Sequence, residues 1–315
     1  GMSFLVGKIG SAAAIALVFA TYLTPGFEIL TAVLAVVVMA AINIAGINRT
    51  AFGSKVLATI TLSFLTVLIL AGLVAEPAEG TMTAGGFPGV LTAASLFFFA
   101  FAGYARVATL GGEVRNSEKS VPSAIRISLA IVLVTYLALA LVLMLKLGPS
   151  FSGSLTPIAD LAGVALGIEG SVVAVFAAVA TLGSLLALLA GMSRTASEMA
   201  NDAELPKVLS KKLKNGSPAL AEVIISLLVI LLVVSGSILL TIGLSSFAIL
   251  SYYAIANLAA YRQPRSETQR AKWLNLVGLG LCVLLGLSVP FGGLLVGATV
   301  LTVALILRWG LRALR

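Results

Sequence analysis

Long apolar stretches follow one another through almost the whole chain, and the short segments between them carry most of the charges. Hydrophobic residues make up 60% of the 315 residues, charged residues only 10%, and the mean hydropathy is +1.13. A soluble domain is about 45–50% apolar and about 25% charged. A run of about 20 apolar residues is long enough to cross a bilayer as a helix. The pattern therefore predicts an all-α, polytopic membrane protein whose surroundings are a lipid bilayer.

Ten apolar segments have about the length of a membrane span. The two longest runs must fold back on themselves, because a single helix over 218–261 would be about 65 Å long at 1.5 Å per residue. Breaks are predicted at 235–237 and at 288–293, where serine, glycine and proline interrupt the runs. The ten predicted spans are 4–23, 31–48, 55–75, 88–110, 122–146, 169–193, 219–236, 238–261, 273–289 and 291–309.

Lysine and arginine occur in alternate loops. When the N-terminus is placed in the cytoplasm, the loops on the opposite side contain only Lys146, whereas the loop 194–214 is rich in lysine. The positive-inside rule produces this asymmetry. We therefore attribute the net charge of +8 to cytoplasmic loops rather than to nucleic-acid binding. Both termini are predicted to be cytoplasmic, in a cell (inner) membrane, and the N-terminus shows no cleavable signal peptide.

The chain contains few of the side chains that catalysis or metal binding needs. It has no histidine, and its one cysteine, Cys282, lies in an apolar run. The acidic residues fall in loops or at the ends of spans, so no pair of carboxylates is expected in mid-membrane. We predict no enzymatic activity, no metal site and no cofactor. Lys8, about one turn into the first span, is interpreted as extending toward the cytoplasmic surface, with a buried functional lysine as the alternative.

The most informative motif is the segment 97–106, FFFAFAGYAR. Gly103 and its small neighbours are poor helix formers in the middle of an apolar stretch of spanning length. In a bilayer a helix can break only where the freed backbone groups face protein or a wet cavity. Secondary transporters bind their substrates at such breaks. The alternative is a glycine that lets two continuous helices pack closely.

The sequence around this motif resembles that of a known family. Residues 97–125 are similar to the sixth-helix signature of amino acid–polyamine–organocation (APC) permeases, with Asn116-Ser117 in place of an Asn-Pro turn. Residues 192–206 resemble the cytoplasmic stretch after the family's eighth helix, and weaker matches at 7–13 and 44–47 keep the family's order. The resemblance implies the inverted-repeat fold that APC permeases share with the leucine transporter, in which the ten spans correspond to helices 3–12.

The resemblance also implies an absence. The first helix of the family carries a Gly-Ser-Gly break that supplies half of the substrate site, and no such motif precedes the first span here. The first two helices are therefore expected to be missing. On this interpretation the chain, 1–315, is a single membrane domain. Residues 1–75 are the remainder of the first repeat, 88–261 are the second repeat, and 273–309 are two additional helices.

The function implied by the resemblance is that of a secondary transporter of amino acids or related organic cations such as polyamines, working by alternating access with H⁺ or Na⁺ as a coupling ion. Since half of the site is missing, this form is expected not to transport. A structural or regulatory membrane partner that retains only the scaffold is the alternative. Thr61 stands about where several proton-coupled relatives have a lysine.

The resemblance also indicates which residues would bind the substrate. Backbone carbonyls at the break would accept hydrogen bonds from an ammonium group, an aromatic ring there would cover the side chain, and hydroxyls of two later spans would line the site. These residues are Ala100, Phe101, Ala102, Gly103, Tyr104, Thr181, Ser184, Ser245 and Ser246.

The charge asymmetry gives a prediction for the topology. In a background in which Cys282 is replaced by alanine, we expect a membrane-impermeant maleimide to label Gly153→Cys in intact cells and to label Ser210→Cys only after the cells are opened, because the loop 194–214 is cytoplasmic. Labelling of position 210 from outside would overturn the topology.

Overall fold

Apolar helices dominate the computed structural model, which describes residues 1–46, 51–80, 86–103, 116–264 and 271–313. Within these ranges the chain forms α-helices and two 3₁₀ segments and no strand, so the prediction of an all-α fold is confirmed. The helices are α1 (Met2–Leu23), α2 (Glu28–Ile44), α3 (Ala51–Val74), α4 (Gly86–Phe101), α5 (Ser117–Leu147), α6 (Pro157–Leu166), α7 (Gly170–Asn201), α8 (Ala219–Val233), α9 (Ile238–Arg262), α10 (Lys272–Leu287) and α11 (Phe291–Ala313).

The predicted number of ten transmembrane helices is not confirmed, because the described ranges contain eleven α-helices. Helix α6 is the additional one; its ten residues span only about 15 Å, too short to cross a bilayer. Six helices are long and apolar enough to do so, namely α1, α3, α5, α7, α9 and α11. The other four predicted spans correspond to apolar helices of 15 to 17 residues, α2, α4, α8 and α10.

Helix α1 lies at the centre of the molecule. More than half of it is buried, whereas α3 and α5 expose most of their apolar surface, as helices in contact with lipid do. Its alanines at 12, 13, 16 and 20 are buried against α2, α7 and α8. Small residues allow such close approach between helices in a membrane protein. The four helices α1, α2, α7 and α8 therefore form the main hydrophobic core.

Glycines bring α9 close to its neighbours. A Cβ on Gly10 of α1 would lie 2.7 Å from Leu244 Cδ2 and 3.0 Å from the Thr241 carbonyl oxygen. A Cβ on Gly293 of α11 would lie 2.7 Å from the backbone of Gly243. Any side chain at these two positions would push the helices apart, so α9 is fixed between α1 and α11 by backbone contacts.

A buried polar bond joins the helices of the core. The Nδ2 atom of Asn43 in α2 donates to Glu222 Oε1 in α8 at 2.8 Å and to the Leu186 carbonyl of α7 at 3.1 Å. Glu222 lies in the first turn of α8, as predicted for a span end, but its side chain is only 1% exposed. A buried carboxyl group needs such a donor, because burying it unpaired would cost several kcal/mol.

The glycine contact generates a prediction about stability. Gly293→Ala should lower the free energy of unfolding in detergent by about 1–3 kcal/mol, because the added methyl group would meet backbone atoms that cannot move aside. Gly280→Ala is the matched control: it is also helical, but a Cβ there meets no described atom within 4 Å. That change should be neutral or stabilise by up to about 1 kcal/mol. Equal effects of the two substitutions would contradict the packing.

Candidate functional site

Helix α4 ends at Phe101, inside the segment where the sequence predicts a break. The Ala102 amide donates to the Phe99 carbonyl at 3.2 Å, three residues back rather than four, and residues 102 and 103 form a turn. The turn at 102 and 103 lies within the predicted span 88–110, and residues 104–110 of that span lie outside the described residues. Gly103 is exposed, and a Cβ there would meet no described atom within 4 Å.

The carbonyl group of Ala102 is bound by a lysine from the central helix. Lys8 Nζ donates to the Ala102 oxygen at 3.1 Å, and the same ammonium group lies 5.7 Å from the centre of the Phe4 ring. Ala102 itself is only 3% exposed. The ammonium group of Lys8 is directed at the end of α4, and its extension toward the cytoplasmic surface stays a prediction.

Aromatic rings surround the end of α4. The Phe101 ring contacts the Tyr136 ring of α5 edge-to-face, with the ring centres 5.3 Å apart. The Tyr136 hydroxyl donates a long hydrogen bond, 3.5 Å, to the Ala100 carbonyl oxygen. Tyr136 therefore holds both the side chain and the backbone of the last helical residues of α4.

A second group of rings links α4 to α9 and α1. Phe98 of α4 contacts Tyr253 at 5.8 Å, Tyr253 contacts Tyr252 at 5.3 Å, and Tyr252 contacts Phe4 at 5.8 Å between ring centres. Edge-to-face and tilted pairs of this kind each add about 0.5–1.5 kcal/mol beyond area burial. The rings form a continuous aromatic wall from the Lys8 ammonium group to α4.

The predicted hydroxyl residues fall into two groups. Thr181 and Ser184 of α7 donate to carbonyl groups one turn earlier in their own helix, Ala177 and Ala180, and Ser184 is exposed. Such local bonds satisfy a hydroxyl group within its own helix. The structure describes no contact between either residue and the end of α4.

Ser245 and Ser246 of α9 are both completely buried. The Ser245 Oγ atom lies 2.8 Å from Ser11 Oγ of α1, and Ser11 Oγ also donates to the Gly7 carbonyl at 3.1 Å. Ser246 Oγ has no hydrogen-bond partner among the described residues. Since Ser11 lies three residues after Lys8, Ser245 is connected to the end of α4 through one face of α1.

The sequence missed several of these residues. The alternative interpretation of Lys8 as a buried functional lysine rests on the rule that a charged side chain inside a membrane span indicates function by default, but no local signal connects Lys8 with α4. Tyr136 and Ser11 carry no local signal, and only the packing brings them to the site. Tyr104 lies outside the described residues. Within the described ranges, no three histidine, cysteine, aspartate or glutamate side chains come together as metal ligands would.

These observations define a class of protein. Apolar helices of spanning length and a helix that ends inside protein are typical of a multi-pass membrane transporter. The sequence model described as amino acid permease matches residues 2–309, and this chain belongs to that family. It is therefore a transporter rather than an enzyme.

Curated relatives support the assignment. An uncharacterized transporter of Mycobacterium tuberculosis is 39% identical over 311 residues, which is 96% of this chain and 70% of the relative. A branched-chain amino acid permease of Lactococcus lactis is 34% identical over 142 residues, 43% of this chain and 30% of the relative. A cationic amino acid transporter of Homo sapiens is 37% identical over 89 residues, 27% of this chain and 14% of the relative.

The Ser11–Ser245 pair generates a prediction. Ser11→Ala should cost about 1–3 kcal/mol in the free energy of unfolding, because it leaves the buried Ser245 hydroxyl without an acceptor. Ser245→Ala should cost less, since Ser11 keeps its bond to Gly7, and the double variant should also cost less than Ser11→Ala alone, because it removes the unpaired Ser245 hydroxyl. Denaturant titration in detergent measures all three. Ser184→Ala, at an exposed position, is the control, and additive costs would contradict the arrangement.

Proposed function

We propose that this chain is a secondary transporter of amino acids or related organic cations, in which the substrate binds where α4 ends. The observation that carries the proposal is the end of a helix of an amino acid permease at Phe101, held by Lys8 and Tyr136 inside the apolar region. Carbonyl groups that leave a helix at membrane depth must be paired, and a substrate ammonium group can pair them.

The described groups suit an amino acid. A carbonyl oxygen has two lone pairs, so those of Ala100 and Ala102 can each accept a bond in addition to the one that they already receive. A Cβ on Gly103 would meet no atom of the described residues within 4 Å, and the Phe101 ring would cover an apolar side chain. We assign Tyr104 to the same role by the family resemblance, and Ser245 and Ser246 to the far wall. Thr181 and Ser184 are the weakest candidates.

Transport would occur by alternating access. The well-packed helices α1, α2, α7 and α8 would be the scaffold, and α4 would belong to the part that rocks against it. On this proposal residues 88–261 form one inverted repeat, 1–75 belong to the other, and 273–309 lie outside both. We place the protein in the cell (inner) membrane with both termini in the cytoplasm, because the basic loops are then on the cytoplasmic side.

A coupling ion, H⁺ or Na⁺, would supply the energy. The position at which related proton-coupled permeases have a lysine is occupied here by Thr61 on α3, which carries no charge. The Thr61 hydroxyl donates to the Leu57 carbonyl. Uptake measurements with a pH gradient alone and with a sodium gradient alone would therefore identify the coupling ion.

Leucine is a suitable first probe, because one relative is named a branched-chain amino acid permease. In proteoliposomes we expect saturable leucine binding, weakened about tenfold by Phe101→Ala, which removes the ring that would cover the side chain. Phe97→Ala is the matched control, since Phe97 is in the same helix but 53% exposed and outside the site. Radioligand binding measures both variants.

Uptake of labelled leucine under a pH or sodium gradient distinguishes a complete transporter from a chain that binds substrate without transporting it and from a structural or regulatory partner. Accumulation above background would show a complete transporter. Binding without accumulation would agree with the expectation that this chain alone does not transport. If neither amino acids nor polyamines bind, the proposal fails and the structural or regulatory role remains.

A further inference from the structure

Lys8 places a positive charge beside the end of α4. Its ammonium group lies between the Ala102 carbonyl oxygen, at 3.1 Å, and the Phe4 ring, at 5.7 Å from the ring centre. Phe4 is on α1 with Lys8, whereas Ala102, at the end of α4, is 94 residues away from Lys8 in sequence. A charge inside a membrane span is costly and is therefore usually retained for function.

The end of α4 attracts cations for a simple physical reason. The last carbonyls of a helix carry the negative end of its dipole, equivalent to roughly half an elementary charge. The Lys8 ammonium group uses this attraction through its bond to the Ala102 carbonyl. A substrate ammonium group at the proposed site would use the same carbonyls, so Lys8 and the substrate would lie within a few ångströms of each other.

We propose that Lys8 determines which amino acids the site accepts: its ammonium group is a resident cation that favours substrates with an uncharged side chain over lysine, arginine and polyamines. The inference rests on the proposed substrate site and deepens it. A zwitterionic amino acid adds no net charge beside Lys8, and its carboxylate is attracted to the ammonium group. A cationic side chain adds a second positive charge in a region of low dielectric constant, where repulsion is strong.

Two relatives are named for substrates that differ in the charge of the side chain. One is named for branched-chain amino acids and another for cationic amino acids, so the family name alone leaves the charge of the substrate side chain open. In this chain the position of Lys8 favours the uncharged class. A helix cap that acts only on the structure would affect both classes of substrate equally, whereas a resident cation would affect the ratio between them.

The experiment compares two ligands that differ by one charged group. L-Norleucine and L-lysine have the same carbon skeleton, and only lysine has the terminal ammonium group. Their dissociation constants are measured on the purified full chain in nanodiscs, for the wild type, Lys8→Met and Lys8→Arg. Methionine keeps much of the length of the side chain without the charge, and arginine keeps the charge. Thermal unfolding of each variant checks that it is folded.

We expect the wild type to prefer norleucine, and Lys8→Met to reduce that preference by roughly tenfold or more. Removing one positive charge changes the ratio in this direction whatever other charges lie nearby. Lys8→Arg should retain the preference. The inference is overturned if the wild type binds lysine as tightly as norleucine, or if Lys8→Met weakens both ligands by the same factor. Absence of binding of either ligand to the wild type would overturn the proposed site itself, before any substitution is compared.

Discussion

The requirement that every backbone polar group be paired governs this structure. Inside a bilayer no water is available, so a helix that stops short leaves carbonyl groups that protein must satisfy. At the end of α4 this is done by Lys8 on one carbonyl and Tyr136 on another. The two side chains come from α1 and α5, so the end of one helix fixes the relative positions of three.

Helix α1 meets this requirement while also serving as the centre of the packing. Its alanines at 12, 13, 16 and 20 face the main core, and Gly7 and Gly10 allow α9 to approach. Lys8 and Ser11 lie on the part of the surface that is directed to α4 and α9. Helix α1 therefore combines a surface of small residues for packing with a polar stripe for recognition. A substitution in one of these surfaces would also disturb the contacts made by the other.

The sequence predicted the class of fold because apolar length and loop charge are properties of single segments. It also predicted the interval in which α4 ends, since glycine at membrane depth is informative without any knowledge of partners. The predicted count of ten was not confirmed because α6 is an additional short helix between two predicted spans, although Pro157 at its start and Gly167 at its end are ordinary helix boundaries. Searching only for segments of spanning length excluded it.

The contacts of the site could not be predicted in the same way. The Lys8–Ala102 bond joins residues 94 positions apart, and the Ser11–Ser245 pair joins residues 234 positions apart. No local pattern encodes either distance. Lys8 illustrates the difference: its charge was visible in the sequence, but whether the ammonium group reached the surface or the break depended on where α4 ended.

The way in which α4 is attached has a mechanical consequence. Every residue of α4 is described, and Ser95 alone is fully buried; its hydroxyl donates to the Thr92 carbonyl at 2.7 Å, and its Oγ atom lies 3.3 Å from the Ser288 carbonyl oxygen beyond α10. Ala102, which is bound by Lys8, follows Ser95 by seven residues. Seven residues are nearly two helical turns, so both contacts lie on the same side of α4. A hydrogen bond between neutral groups contributes about 0.5–1.5 kcal/mol, and one that involves a charged group such as the Lys8 ammonium contributes about 1.5–3 kcal/mol. Ring contacts of Phe98 with Tyr253 and of Phe101 with Tyr136 hold the same helix, and none of these residues belongs to the main hydrophobic core. Displacing α4 would therefore break side-chain contacts without unpacking that core.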